Sequence, residues 1–169
     1  MDITQLILDD HHEQRRLFAM IDEIDKGDVT SLAAVWKRLS TFLEVHAETE
    51  EKLFYPALLR VGRKAGDKKG VEEETLDAIK DHNEIRDAVA AVSEQKVGSA
   101  AWFKAVAEAN KANGDHMAEE EREGLTDFRR QASLELRHDL AVQFAAYETA
   151  HVTGVTPVDK DPKQWVKDH

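Results

Sequence analysis

Apolar side chains recur every three to four positions over several long stretches of the chain, which is the period of an α-helix. The first stretch spans residues 3–26 and is followed by Gly27, a residue type that often ends a helix. The second begins behind a cap at Thr30 or Ser31, and Pro56 is expected to bend or end it within about one turn. The pattern therefore predicts two long amphipathic helices in the N-terminal part of the chain.

The rest of the chain continues this pattern with three further predicted helices. One spans residues 72–96, the next starts near residue 100 and ends between 124 and 130, and the last spans 134–151 and is expected to pack outside the others. The segment 61–70 contains three glycines and four basic residues, a composition typical of an exposed loop. Residues 154–169 contain two prolines and are predicted to form an irregular tail.

Short connections between long amphipathic helices favour antiparallel neighbours. We therefore predict an all-α fold, an antiparallel up-down four-helix bundle with an additional C-terminal helix, over residues 1–153. A chain of 169 residues is long enough for one such domain with its own core.

The composition narrows the expected partners and compartment. A formal net charge of −11 would be repelled by phosphate backbones, so we expect no nucleic-acid partner. The absence of cysteine excludes disulfides, thiolate metal ligands and thiol catalysis. No basic leader follows Met1, and no apolar stretch reaches the ~18–20 residues of a membrane span, so we expect a cytoplasmic protein without membrane contact. The sequence does not indicate a protein partner.

Two short strings occur twice along the chain. Residues 10–15, Asp-His-His-Glu-Gln-Arg, resemble residues 81–86, Asp-His-Asn-Glu-Ile-Arg. Residues 45–51 resemble residues 115–121 in the same way. The two offsets are 71 and 70 residues, so a helical hairpin with one histidine on each helix is predicted to occur twice.

Each copy of the second string contains a His-x-x-x-Glu pair, His46 with Glu50 and His116 with Glu120. Residues four apart on a helix share a face, and both pairs lie on the apolar stripe of their helix. Burying a carboxylate without a partner costs several kcal/mol, so the two pairs need a cation. Imidazole and carboxylate ligands suit iron, manganese or zinc, and two carboxylates that can each bridge favour a centre with two metal ions. A single pair of this kind is more often a solvated surface pair, but two pairs on core stripes favour metal binding.

The histidines are also evenly spaced. His11, His46, His82 and His116 are separated by 35, 36 and 34 residues, which places them at similar heights in an up-down bundle. The ligand in the first helix is either His11 or its neighbour His12. The apolar residues that follow His11 match those that follow His82, which favours His11 and places His12 nearer the surface.

The order His, His-x-x-x-Glu, His, His-x-x-x-Glu over about residues 3–125 resembles the hemerythrin-like domain, also called the HHE cation-binding domain, in its bacterial form. The resemblance implies a four-helix bundle around two iron ions with an oxo or hydroxo bridge, and iron is expected ahead of manganese or zinc. It also implies two bridging carboxylates and four terminal histidines. The expected metal ligands are then His11, His46, Glu50, His82, His116 and Glu120.

The sequence departs from the invertebrate oxygen carrier hemerythrin in two motifs, one in the third helix and one at the end, where the last motif is His-x-x-x-Glu instead of His-x-x-x-x-Asp. Arg86 stands where that protein has a second histidine in the third helix, which leaves an iron position open or filled by another group and argues against simple reversible oxygen carriage. Tyr55 is a candidate, because residues 52–56 resemble a segment of bacterial, including mycobacterial, hemerythrin-like proteins in which a tyrosine can ligate iron. In a regular helix Tyr55 would lie about 180° from His46, unless Pro56 distorts the turn. A ligand role and a position at the rim of the site both stay open.

The resemblance implies a protein that binds or reacts with a small oxidant, namely dioxygen, hydrogen peroxide or nitric oxide, and catalase-like or peroxidase-like turnover is one form of this reaction. The metal would perform the redox step, and no separate catalytic acid or base stands out in the sequence. Glu51 and Glu121, next to the bridging positions, are expected to accept hydrogen bonds from histidine N–H groups. The alternative is a non-catalytic module for iron or oxygen sensing or for iron handling. A ferritin-like centre would need paired Glu-x-x-His motifs, and only residues 148–151 fit that pattern.

Overall fold

The computed structural model describes residues 1–169, and every regular element is helical. The helices are α1 Ile3–Glu23, α2 Val29–Thr49, α3 Tyr55–Ala65, α4 Lys68–Ser93, α5 Ala100–Arg122, α6 Gly124–Gln131, α7 Leu134–Ala150 and α8 Pro162–Asp168. A π-helical stretch, Glu50–Phe54, joins α2 to α3 without a break, and we call it the π segment.

Four long helices form the predicted bundle. α1, α2, α4 and α5 run antiparallel, and each contacts its two neighbours in the cyclic order α1, α2, α4, α5. The additional C-terminal helix is α7, which packs on α1 and α2, while α8 packs on α4. The prediction of an all-α up-down bundle with an additional C-terminal helix is confirmed. None of the helices combines the length and the apolar character that a membrane crossing requires.

Aspartate and serine side chains define where most helices begin. Such a side chain accepts a hydrogen bond from a backbone N–H of the first turn at Asp2, Asp28, Asp67, Ser99, Ser133 and Asp161. The cap of α2 is Asp28 rather than the expected Thr30 or Ser31. The helix therefore begins two to three residues earlier than predicted.

The segment 61–70, predicted to be an exposed loop, is helical over most of its length. α3 continues to Ala65, Gly66 turns the chain with a φ of 93°, and α4 begins at Lys68. Gly62 is not a turn residue. A Cβ atom on Gly62 would lie 2.8 Å from the Cβ atom of Val71, so this glycine allows α3 and α4 to pack closely.

The tail, residues 154–169, is irregular only as far as residue 161. Pro162 lies in the first turn of α8, where its missing N–H leaves no hydrogen bond unmade, and Asp161 caps that turn. Trp165 and Val166 are buried and join the apolar core. The prediction of a wholly irregular tail is therefore wrong.

Buried apolar residues form two separate clusters along the bundle. One includes Ile7 and Phe128, and the other includes Leu17 and Trp102. On α1 the buried residues between Ile7 and Leu17 are polar, and the same change occurs on the other bundle helices. A layer of buried polar side chains therefore crosses the bundle between the two apolar clusters.

Candidate metal centre

The structure brings together in this layer the six residues that the sequence pattern indicated as metal ligands. They are His11 on α1, His46 on α2, Glu50 in the π segment, His82 on α4, and His116 and Glu120 on α5, and we call them the His/Glu cluster. Their exposed fractions lie between 0% and 5%. The alternative residue on α1, His12, is exposed and lies outside the cluster.

Glu50 lies between the histidines of two helices. Its Oε1 atom is 2.9 Å from Nε2 of His46, and its Oε2 atom is 3.3 Å from Nε2 of His82. On α5, Oε2 of Glu120 is 3.3 Å from Nε2 of His11. The Nε2 atoms of His82 and His116 are 3.2 Å apart. The Nε2 atoms of all four histidines therefore converge on the interior of the cluster.

Hydrogen bonds within the protein do not satisfy most of these donor atoms. Five of them are buried without a hydrogen-bond partner, namely Nε2 of His11, Nε2 of His46, Oε1 and Oε2 of Glu50, and Oε2 of Glu120. Two groups of three residues, His11–His46–Glu50 and Glu50–His82–His116, each have their donor atoms within 4.8 Å of one another. Unpaired buried polar atoms cost free energy that a cation between them would offset. The residues present therefore fit two cations with Glu50 between them.

The carboxylates change the pKa values of the histidines that face them. Burial lowers the pKa of His82, but Glu50 and Glu51 outweigh this effect and raise it to about 9. The same balance, with burial opposed by Glu50 and other carboxylates, raises the pKa of His46 well above its usual range. For Glu50, burial raises the pKa, but His46 and His82 bring it well below the ordinary value. The cluster therefore stabilises positive charge in its interior.

A second set of carboxylates holds the outer edge of each imidazole. The distances from Nδ1 to the nearest carboxylate oxygen are 3.1 Å for His46 and Asp10, 2.9 Å for His82 and Glu51, 3.6 Å for His116 and Asp81, and 2.9 Å for His11 and Glu121. Each carboxylate comes from the bundle helix that precedes its histidine in the cyclic order, so the four contacts form a closed ring, which we call the carboxylate ring. Because each Nδ1 faces a carboxylate, Nε2 is left to bind a cation.

Sequence reasoning found half of this ring. The structure places Glu51 and Glu121 at histidine Nδ1 atoms, as expected, whereas Asp10 and Asp81 were not predicted. These two aspartates begin the two copies of the first repeated string, so the repeat already contained the signal. Glu148 of α7, whose Oε1 atom is 3.9 Å from Nδ1 of His46, has no counterpart in the repeat and was also missed.

An arginine follows four residues after the histidine in each copy of the first string, and both arginines bind the carboxylate ring. Arg15 is 2.8 Å from Glu121, and Arg86 is 3.0 Å from Glu51. Arg86, at the position of the additional hemerythrin histidine, therefore pairs with a carboxylate of the ring. Glu51 has a second cation beside it, Lys160 of the tail. Burial raises the pKa of Glu51, but its three positively charged or N–H-donating partners lower it to about 2.

The π segment brings Tyr55 to the cluster. Pro56 has no N–H, and the N–H of Tyr55 binds the carbonyl of Glu50 five residues earlier, so the helix gains about one residue relative to the α-helical register. That extra residue rotates Tyr55 by about 100° from its position in a regular helix. The buried hydroxyl donates a 2.6 Å hydrogen bond to Oε1 of Glu120, and burial together with nearby carboxylates raises the pKa of Tyr55 well above its usual range.

Comparisons with known proteins identify the family. The family model of the hemerythrin HHE cation-binding domain matches residues 2–126, about three quarters of the chain. Searches of curated proteins and of solved structures found no match. The matched range contains all four bundle helices and every member of the His/Glu cluster. The chain therefore belongs to the family of hemerythrin HHE cation-binding domains, helical domains that bind metal ions, typically iron.

Proposed function

We propose that the His/Glu cluster binds two iron ions and that this centre binds or reacts with a small oxidant. The strongest support is the pair of ligand groups that share Glu50, whose buried donor atoms have no hydrogen-bond partner. Membership of a cation-binding family supports the same proposal. Because His12 is exposed, the proposed ligand on α1 is His11.

Each member of the cluster has a defined role in this proposal. Glu50 and Glu120 would supply the carboxylate ligands of the two ions, and the four histidines would hold the ions through Nε2. Nitrogen and oxygen ligands without thiolate suit iron, and manganese and zinc are the competing ions. Six protein side chains leave coordination positions for a small molecule. When bound, iron supplies the electrons needed to bind or reduce dioxygen, hydrogen peroxide or nitric oxide.

The chain's own groups prepare the site for this chemistry. The carboxylate ring fixes the orientation of each imidazole, which keeps the ligands in place when the metal changes charge. The apolar clusters on either side of the polar layer limit access by water. The hydroxyl of Tyr55 holds Glu120 through its hydrogen bond. We assign no proton-transfer role to any side chain, so any turnover depends on the metal.

Metal analysis with a matched pair of histidine variants tests this proposal. Protein from iron-replete cells is expected to contain two irons per chain and to show near-ultraviolet oxo-to-iron absorption. His11→Ala should lose iron and hydrogen peroxide consumption, whereas His12→Ala, which changes the exposed neighbour, should keep both. Wild-type protein without stoichiometric metal after anaerobic reconstitution would contradict the proposal.

One observation favours the alternative function, a sensor or iron-handling module without turnover. Lys160 pairs with Glu51, so the tail contacts the carboxylate ring directly. Asn83 also forms two hydrogen bonds with the backbone of Lys160. A change in metal state at His82 would then reach the tail through Glu51. Metal-dependent protection of the tail from limited proteolysis, in protein that does not consume peroxide, would favour this alternative.

A further inference from the structure

A small cavity between α4 and α5 leads from the surface to the His/Glu cluster. Its volume is about 40 Å³. The inner wall contains Tyr55, His116 and Glu120, and Glu120 is only 5% exposed, with its Oε2 atom lacking a hydrogen-bond partner. The outer wall is lined by carboxylates, namely Glu74, Asp77, Glu119 and Glu123. The cavity therefore joins an acidic opening to a buried, unpartnered oxygen of a proposed ligand.

Glu74 is an outer residue without a partner. Its Oε1 atom is buried and accepts no hydrogen bond. Burial, followed by the neighbouring carboxylates of Asp127, Glu123 and Glu120, raises the pKa of Glu74 to about 8. When ionised, this carboxylate lacks the positive charge that a buried acid requires.

Two of the carboxylates at the surface, Glu119 and Glu123, are different, because they are paired. Arg122 lies 3.5 Å from Glu119 and 2.9 Å from Glu123, and its side chain is largely exposed. Glu74, between this exposed pair and the His/Glu cluster, is therefore a carboxyl group without a salt bridge, and it is negatively charged only above its pKa of about 8.

Gly124 leaves room in the cavity for the side chain of Glu74. A Cβ atom on Gly124 would lie 2.7 Å from Oε1 of Glu74 and 3.6 Å from Cγ of Glu120. Glu74 and Glu120 thus lie within about 6 Å of each other beside Gly124. Any larger residue at position 124 would displace the carboxylate of Glu74 from the cavity.

We propose that Glu74 is a transient ligand for divalent cations, which it receives from solvent and transfers to the His/Glu cluster along this cavity. The inference rests on the proposed metal centre and adds its route of loading. Carboxylate oxygens bind hydrated Fe²⁺, Mn²⁺ or Co²⁺ readily, and a cleft of one charge sign raises the association rate of the opposite charge by about 10-fold or more. Glu120 at the inner end is the next ligand on this route.

Loading kinetics of the metal-free full-length protein test the inference. Co²⁺ binding is followed by its visible absorption after rapid mixing at low ionic strength and at a pH above 8, where Glu74 is mostly ionised. Glu74→Gln, which keeps the shape of the side chain, should load about 10-fold more slowly than wild type and reach the same final metal content. The matched control is Glu73→Gln, because Glu73 is the adjacent carboxylate, is 66% exposed and pairs with Lys69. This control should load at the wild-type rate.

A second variant separates the position of the carboxylate from its presence. Gly124→Ala keeps every charge but pushes the Glu74 side chain aside, so it should also slow loading without lowering the final metal content. Wild-type loading rates in both Glu74→Gln and Gly124→Ala would overturn the inference. A lower final metal content in Glu74→Gln would also overturn it, because Glu74 would then be a ligand of the centre itself. Failure of wild-type protein to bind Co²⁺ would instead contradict the proposed metal centre.

Discussion

Rising pH should destabilise the metal-free protein and leave the stability of the metal-loaded protein nearly unchanged. In the metal-free protein the pKa of His82 is about 9, because Glu50 and Glu51 outweigh the opposing effect of burial. In the unfolded chain the same histidine has an ordinary pKa of 6.5. A raised folded-state pKa contributes stability that is fully present below pH 6.5 and is lost as the pH rises towards 9. His46, whose pKa is also raised, acts in the same direction.

The size of the effect follows from the shift. Each pKa unit corresponds to roughly 1.4 kcal/mol, so raising the pH from 6.5 to 9 should lower the free energy of unfolding by about 3 kcal/mol through His82 alone. A metal ion competes with protons for the same Nε2 atoms, so metal binding releases protons and its affinity increases with pH. Each 10-fold gain in metal affinity adds about 1.4 kcal/mol to the free energy of unfolding of the metal-loaded protein.

Urea unfolding, followed by circular dichroism at pH 6.5 and pH 9, measures both slopes. One series contains a chelator and the other contains excess Mn²⁺, and both are kept free of oxygen because air oxidises Mn²⁺ at pH 9. Ionisation of Glu74, whose pKa is raised to about 8, also lowers the free energy of unfolding over this pH range. Measurements in the Glu74→Gln variant therefore isolate the contribution of the histidines. Equal slopes in the two series, or metal-free protein that gains stability at pH 9, would refute the reasoning.

Three further substitutions have defined outcomes. Tyr55→Phe leaves the Oε1 atom of Glu120 without a donor and should lower the free energy of unfolding by about 2 kcal/mol. It should not remove any low-energy phenolate absorption from the iron-loaded protein, and loss of such a band would place the phenol on iron. Lys160→Met should make the tail sensitive to protease, whereas Lys163→Met at an exposed position should not. Gly62→Ala should destabilise the protein by about 1–3 kcal/mol in thermal melts, and Val71→Ala in the same chain should restore part of that loss.

The helical pattern and the positions of the six proposed ligands could be predicted because both depend on spacing along one helix at a time. A 3.6-residue period and a His-x-x-x-Glu spacing are local features, and the bundle keeps them. The register of Tyr55 is different, because it depends on the π segment, in which the N–H of Tyr55 binds the carbonyl of Glu50 five residues earlier. The sequence indicated a distortion at Pro56, but only the structure shows that it inserts a residue and turns Tyr55 to the cluster.

Glycine and proline misled the prediction where tertiary contacts decide their role. The three glycines at positions 62, 66 and 70 have similar surroundings in sequence, yet only Gly66 adopts a left-handed conformation. Gly62 instead lies where two helices approach each other, a contact that cannot be seen in either helix alone. Pro162 suggests irregular chain when the sequence is considered alone, although proline is also favoured in the first turn of a helix behind an aspartate cap.

The contacts of the repeated hairpin show that the carboxylate ring needs both copies. The two copies nevertheless differ in the burial of their arginines. Within each hairpin the aspartate contacts the histidine of the second helix, whereas the glutamate contacts the first histidine of the other hairpin. One copy alone would therefore leave its first histidine without a carboxylate at Nδ1. Both arginines bind a carboxylate of the ring, but 5% of the Arg86 side chain is exposed and 41% of that of Arg15, and Arg86 also pairs with Glu44. Arg86→Gln should therefore lower the free energy of unfolding by about 3 kcal/mol, because it leaves a buried carboxylate short of a partner. Arg15→Gln should lower it by at most about 1 kcal/mol, because solvent screens that pair. Equal losses of the free energy of unfolding in the two variants would contradict this expectation, because burial would then not determine the strength of these contacts.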